Sequence, residues 1–109
     1  MGYVLAIDQG TTGTTVLIFD DEGKLRGRGY AEITQYYPQP GWVEHDPVEI
    51  WEKTRAVAGA ALADAGISWR EVEAVAAASS RFSGGKGWGL NGNDVVEDMG
   101  STGVPVYNL

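Results

Sequence analysis

Two stretches of this chain combine residue types that can handle phosphate. The first is "AIDQGTTGTT", residues 6 to 15, where an apolar run stops at an aspartate and a glycine-threonine turn follows at once. Gly10 lets a phosphate oxygen approach the backbone with no side chain between them. Consecutive backbone N–H groups in such a turn form an anion-binding concavity, and the hydroxyls of Thr11, Thr12 and Thr14 can add donors. Asp8, at the end of a buried strand, is expected to be poorly solvated. Its carboxylate makes most sense beside a cation, such as water-coordinated Mg2+ on a nucleotide phosphate. The other reading of the same residues is a hairpin turn with an Asx interaction and no ligand, and the short motif does not decide between them.

The second stretch is "SSRFSGGKGWGLNGND", residues 79 to 94, with five glycines in the nine residues Gly84 to Gly92 and Lys86 among them. A nucleotide-binding glycine loop needs a glycine five positions before its Gly-Lys pair and Ser or Thr after it. Here those positions hold Ser80 and Gly87, so the pattern fails. The glycine density predicts a mobile loop instead, because glycine loses the most entropy on ordering.

The elements that must position the first stretch can be read from the pattern around it. Tyr3 to Ile7 and Thr14 to Phe19 are apolar, β-prone runs on either side of the turn at Gly10 to Gly13, the arrangement of a β-hairpin. Asp20-Asp21-Glu22-Gly23 makes the next turn, reads as a solvated acidic cluster, and leads into a third strand over Leu25 to Thr34. The three form an antiparallel meander. The first strand is apolar on both faces and is expected mid-sheet, covered on both sides.

After a loop with prolines at 38 and 40, Asp46, Pro47 and Glu49 give a helix start of capping-box type. Trp51, Thr54, Ala58, Ala61, Leu62 and Ala65 recur at helical spacing on the buried face, and Gly66 is the C-cap glycine. Ser68 to Glu71 reads as a short turn and Val72 to Ala78 as a further strand, joined to the sheet by a parallel crossover. Val95-Val96 and Val104 to Tyr107 could be short strands. His45, the single histidine, sits in the loop before the helix and is expected to be structural rather than catalytic. Trp42 and Trp51 read as core or loop anchors.

Composition removes several function classes. With 109 residues the chain makes one small domain, which buries only about two thirds of its unfolded surface and is therefore marginal. A formal net charge of -7 argues against a nucleic-acid binder, which needs a basic stripe. The sequence also has no lysine-rich helix for a membrane surface. With no cysteine there are no disulfides or thiolate metal sites. The apolar run Val4 to Ile7 is too short for a signal segment or a span, and the expected compartment is the cytoplasm.

The residues "YVLAIDQGTTGTTVLIFDDEGK" resemble the opening of the FGGY carbohydrate kinases, and "YPQPGWVEHDPVEIW" is similar to their glycerol kinase subgroup. The resemblance covers residues 3 to about 81 and returns at "STGVPVYNL", which is similar to the family's "TGKPVYN". It implies an α/β chain with the ribonuclease H-like topology of the actin, sugar kinase and Hsp70-like superfamily, here an incomplete N-terminal lobe. By the same resemblance residues 1–81 are the partial kinase domain, 82–103 a divergent glycine-rich loop and 104–109 a short family-like strand. The implied activity is ATP-dependent phosphorylation of glycerol or a similar polyol, giving glycerol 3-phosphate, with ATP and Mg2+ as cofactors. Carried over by position, Asp8 is the metal-linked carboxylate, Gly10, Thr11 and Thr12 face the nucleotide phosphates, and Arg81 binds substrate hydroxyls.

Several positions depart from that family. Its usual serine is Gly13 here, and its arginine near the transferred phosphate is Thr15, which removes a positive charge from a site whose transition state carries negative charge. The family's "NQRE" reads "SSRF", so Phe82 stands in place of a glutamate that accepts hydrogen bonds from polyol hydroxyls. The family's catalytic base aspartate and most of its adenine pocket lie in a second lobe with no counterpart in these residues. The chain alone is therefore expected not to turn over. Two other readings stand beside the enzyme: a non-catalytic nucleotide-binding or interaction module, completing a partner lobe in trans, and a truncated gene product without function of its own.

Overall fold

The computed structural model describes residues 2–79 and 106–108. The expected meander is present as β1 (Tyr3–Gln9), β2 (Gly13–Phe19) and β3 (Leu25–Glu32), followed by α1 (Pro47–Ala65), β4 (Val72–Ser79) and β5 (Val106–Asn108). They build one sheet in the order β3-β2-β1-β4-β5. β1 pairs antiparallel with β2 and parallel with β4, so α1 and the short 3-10 turn Trp69–Glu71 form the crossover that the β-α-β order implies. The Gly-rich stretch, Val95-Val96 and Arg81 lie outside the described residues.

Alternation along the central strands divides the sheet into two faces. Leu5, Ile7, Val16, Ile18, Val75 and Ala77 point to one face and are all at least 98% buried, with Val57, Ala58, Ala61 and Leu62 of α1 packed on them. Each fully buried aliphatic side chain contributes on the order of 1.5–3 kcal/mol, so this layer carries most of the fold's stability. The opposite face, with Val4, Ala6, Asp8, Thr15 and Leu17, is half-buried or exposed. The expectation that β1 would be covered on both sides therefore holds for the helix face only, since Val4 is 36% exposed.

α1 begins and ends where its caps predict. Asp46 accepts a hydrogen bond from the Val48 N–H at 2.9 Å, and Gly66 is left-handed with φ 71°. Glu49 does not turn back to the cap. Its carboxylate accepts from the Thr34 hydroxyl at 2.7 Å and from the Thr34 N–H, so it ties the end of β3 to the first turn of the helix. The helix lies on β3 at unusually short range. A Cβ on Gly29 would fall 2.7 Å from the Val57 carbonyl oxygen, and one on Gly27 would fall 2.5 Å from that of Ala61.

One loop expectation is corrected. Asp20 is not a solvated turn residue: it is 5% exposed and accepts from the Glu22 and Lys24 N–H groups and from Arg26 Nε at 2.7 Å. A register shift between Ile18 and Phe19 sets Leu25 against Phe19 and leaves Arg26 as the extra residue of β3. Such a bulge re-aims a side chain, and here it delivers Arg26 to Asp20. Trp42, expected as a core or loop anchor, lies in the loop before α1, 55% exposed, with its backbone N–H donating to the Gln39 carbonyl at 3.0 Å. Trp51 is half-buried against the core.

Candidate phosphate-facing loop

β1 ends in Gln9 and β2 starts at Gly13, so Gly10, Thr11 and Thr12 form the connection at the tip of the hairpin. Its neck is closed by the Gly10 N–H donating to the Gly13 carbonyl at 2.9 Å, and by Gln9 Nε2 donating to the Gly10 carbonyl at 2.7 Å. Gly10 has neither of the usual internal reasons to be glycine. Its φ is not positive, and among the described residues a Cβ placed on it would meet nothing closer than the Gly13 carbonyl at 3.4 Å. Among the described residues, space is therefore free beside it.

The backbone of the loop is held from behind. The Thr12 carbonyl accepts from the Ile33 N–H at 3.0 Å, and the Thr11 carbonyl accepts from Gln35 Nε2 at 2.6 Å. A trans peptide carries its N–H antiparallel to its C=O, so drawing the Thr11 carbonyl toward Gln35 turns the Thr12 N–H to the other side. Among the described residues neither the Thr11 nor the Thr12 N–H has a protein partner, and both residues are exposed.

Strand register decides which side chains share this open side. Directly opposed residues of an antiparallel pair point to one face. Asp8 is opposite Thr15, and Thr15 is opposite Tyr30. These three run in a row across β1, β2 and β3, with Ala78 beside Asp8 on β4. Asp8 is exposed, contrary to the expectation of a poorly solvated carboxylate; its strand neighbours among the described residues are Thr15 and Ala78. Gln9 is opposite Thr14 on the helix side. Thr14 is fully buried and its Oγ1 has no hydrogen-bond partner among the described residues, which separates it from Thr11 and Thr12 in the expected phosphate-binding group. The hydroxyl faces the core, so it is not offered to a ligand at the loop.

Tyr30, which the sequence reading did not single out, reaches over the loop's base. Its hydroxyl lies 2.6 Å from where a Cβ on Gly13 would stand, and the Ala31 carbonyl is 2.5 Å from that point. β3 would have to move to admit any side chain at position 13. Gln35 was missed as well, because nothing in the spacing of "ITQYYP" ties it to a turn more than twenty residues earlier.

The residues present fit a hydrated divalent cation better than a caged one. Among the described residues no group of three His, Asp or Glu side chains could hold a metal. Mg2+ on a nucleotide needs only one or two carboxylates, the remaining positions going to water and phosphate. Asp8 alone at an open strand end meets that requirement.

A five-stranded sheet with this mixed order, one crossover helix and a glycine-threonine hairpin tip is the ribonuclease H-like fold as sugar kinases build it in their N-terminal lobe. Solved structures agree. Xylulose kinase from Rhodospirillum rubrum superposes with a TM-score of 0.65 at 22% identity, over 81% of this chain and 19% of that one. Plasmodium falciparum glycerol kinase with ADP gives 0.62 at 20% identity, over 94% and 23%. The sequence is specific where those likenesses show fold alone. The N-terminal domain of the FGGY family of carbohydrate kinases matches residues 3–86, and the chain belongs to that family. It is 45% identical over 106 residues to the glycerol kinase of Haloarcula marismortui and 49% identical over 106 residues to that of Haloferax volcanii. In both cases the match covers 97% of this chain and 19% of the relative.

Proposed function

We propose that this chain supplies the nucleotide-phosphate-holding part of an ATP-dependent glycerol kinase reaction, in which a terminal phosphoryl group passes to glycerol to give glycerol 3-phosphate. The observation that carries the proposal is Gly10. Among the described residues neither backbone conformation nor packing requires glycine there, and the N–H groups of Thr11 and Thr12 beside it have no protein partner. A loop kept bare for a phosphate oxygen accounts for both. The resemblance to the glycerol kinases of Haloarcula marismortui and Haloferax volcanii, at 45% and 49% identity, supports glycerol or a similar polyol as the substrate class.

In this reading Asp8 holds water-coordinated Mg2+, which neutralises phosphate charge, and Thr11 and Thr12 donate to phosphate oxygens. Arg81, outside the described residues, binds glycerol hydroxyls, and Phe82 cannot replace a carboxylate acceptor there. Thr15 brings no positive charge to the face it shares with Asp8. The 109 residues span about a fifth of the length of the relatives they match, so the proposal is limited to binding: the isolated chain binds Mg·ADP and does not turn over. The absence of cysteine fits a reducing, cytoplasmic setting.

Calorimetric titration of the purified chain with Mg·ADP tests the reading. Saturable binding that weakens in Asp8→Asn supports it. No binding, or binding indifferent to that substitution, refutes it.

A further inference from the structure

The hairpin tip is held by a relay of side chains that begins outside the hairpin. His45 Nε2 lies 2.8 Å from Gln35 Oε1, and Gln35 Nε2 donates to the Thr11 carbonyl at 2.6 Å. The chemistry fixes the direction of both bonds. A backbone carbonyl only accepts, so the Gln35 amide must present nitrogen to Thr11 and oxygen to His45. His45 must then carry its proton on Nε2. Its Nδ1 is buried and has no partner among the described residues, so among them this ring bonds to the relay through one nitrogen alone.

The geometry points to Gln35 and His45 as positioning residues for the phosphate-facing loop. This rests on the proposed function only for what the loop binds, not for how it is held. Gln35 fixes the plane of the Thr11–Thr12 peptide, and with it the aim of the Thr12 N–H. His45 keeps the Gln35 amide from rotating away. The histidine is in turn anchored by its sequence position. It directly precedes Asp46, the N-cap of α1, and it follows Glu44, which pairs with Tyr36 through reciprocal backbone hydrogen bonds at 2.8 and 2.9 Å. The loop between β3 and α1 thus acts as a strap across the back of the hairpin tip. Its bridge sets the distance from Gln35 to His45, and its two polar side chains meet the tip.

Amide hydrogen exchange on the full 109-residue chain tests this without a ligand. The reporter is the Gly10 N–H, whose bond to Gly13 closes the loop, read against the Leu5 and Val75 amides of the core. One exposed, net-stabilising hydrogen bond corresponds to a change of roughly 3- to 10-fold. In Gln35→Met and His45→Leu, protection at Gly10 is expected to fall by that factor while Leu5 and Val75 stay unchanged. In His45→Gln, whose amide nitrogen can stand where Nε2 stood, protection is expected to stay within about twofold of the parent. Should His45→Leu fail to fold, Gln35→Glu serves in its place: it keeps the acceptor for His45, loses the donor to Thr11, and is expected to lower Gly10 protection as Gln35→Met does. Unchanged protection at Gly10 in Gln35→Met, an equal loss at Leu5, or an Nδ1–H tautomer of His45 in the imidazole 15N spectrum overturns the proposal. Mg·ADP calorimetry on the same samples separates the two readings. If the parent chain fails to bind, the nucleotide reading falls and the exchange result still decides the relay.

Discussion

Thr14 and Thr15 are neighbours of the same type with opposite situations, and the difference is a matter of one residue of register. Thr15 opposes Asp8 on the open face, whereas Thr14 opposes Gln9 on the helix face, fully buried and with Oγ1 unpartnered among the described residues. A buried hydroxyl without a hydrogen bond costs about 1–3 kcal/mol. Thr14→Val, which keeps the shape and removes the hydroxyl, is expected to raise stability by about 1 kcal/mol and to leave Mg·ADP binding unchanged. Urea unfolding beside calorimetry checks both, and a loss of binding would return Thr14 to the ligand side.

Asp20 makes a second prediction at this scale. The Lys24 N–H is the main cause that lowers its pKa below the ordinary aspartate value. Desolvation opposes the shift, and Arg26 and the Glu22 N–H add to it. A carboxyl lowered on folding contributes stability that is complete above its unfolded pKa of about 3.9 and is lost as pH falls through the folded value. The gap in melting temperature between the parent chain and Asp20→Asn should therefore be widest near neutral pH and shrink below about pH 4. A gap that stays constant down to about pH 3 contradicts that assignment. The sequence hid this role because three acidic residues in a turn have the composition of a solvated surface, while the bulge that brings Arg26 to Asp20 leaves no mark in residue type.

At the scale of elements, α1 was legible to the residue because its ends are written in local chemistry: Asp46 and Pro47 at one end, Gly66 at the other. The hairpin and the crossover were legible for a similar reason, through apolar runs separated by turn residues. What could not be read was how α1 sits on β3. Gly27 and Gly29 look in sequence like weak points of a strand, and in the fold they are where the helix backbone comes to rest. Gly29→Ala places a methyl 2.7 Å from the Val57 carbonyl oxygen. Overpacking of this kind costs typically 1–3 kcal/mol. Thermal unfolding should register that loss, and a neutral or stabilising outcome would mean that α1 is not seated on β3 as described. The strap from Gln35 to His45 belongs to the same class of feature. Its hydrogen bonds link residues far apart in sequence, and only the fold brings them together.

At the scale of the molecule, the sheet separates structure from chemistry. One face carries the aliphatic layer and the helix, while the other carries Asp8, Thr15 and Tyr30 in a row beneath the hairpin tip. The sequence motif grouped Asp8, Gly10, Thr11 and Thr12, and they lie together at the end of β1 and the hairpin tip, where among the described residues the Thr11 and Thr12 N–H groups have no protein partner. It could not assign faces, which depend on pairing register, and it placed Thr14 with the wrong neighbours for that reason. Family membership adds what the chain carries through relatedness to carbohydrate kinases, over residues 3–86.

The central claim is that the hairpin tip holds the phosphates of a Mg-nucleotide. The most direct measurement is calorimetric titration of the 109-residue chain with ADP, in the presence of Mg2+ and with the metal chelated, for the parent and for Asp8→Asn. One saturable site is expected in the parent with Mg2+, weakened roughly tenfold or more, about 1.4 kcal/mol, both by chelation and by Asp8→Asn. No saturable heat in the parent, or an affinity the same with Asn at position 8 as with Asp, would contradict the account.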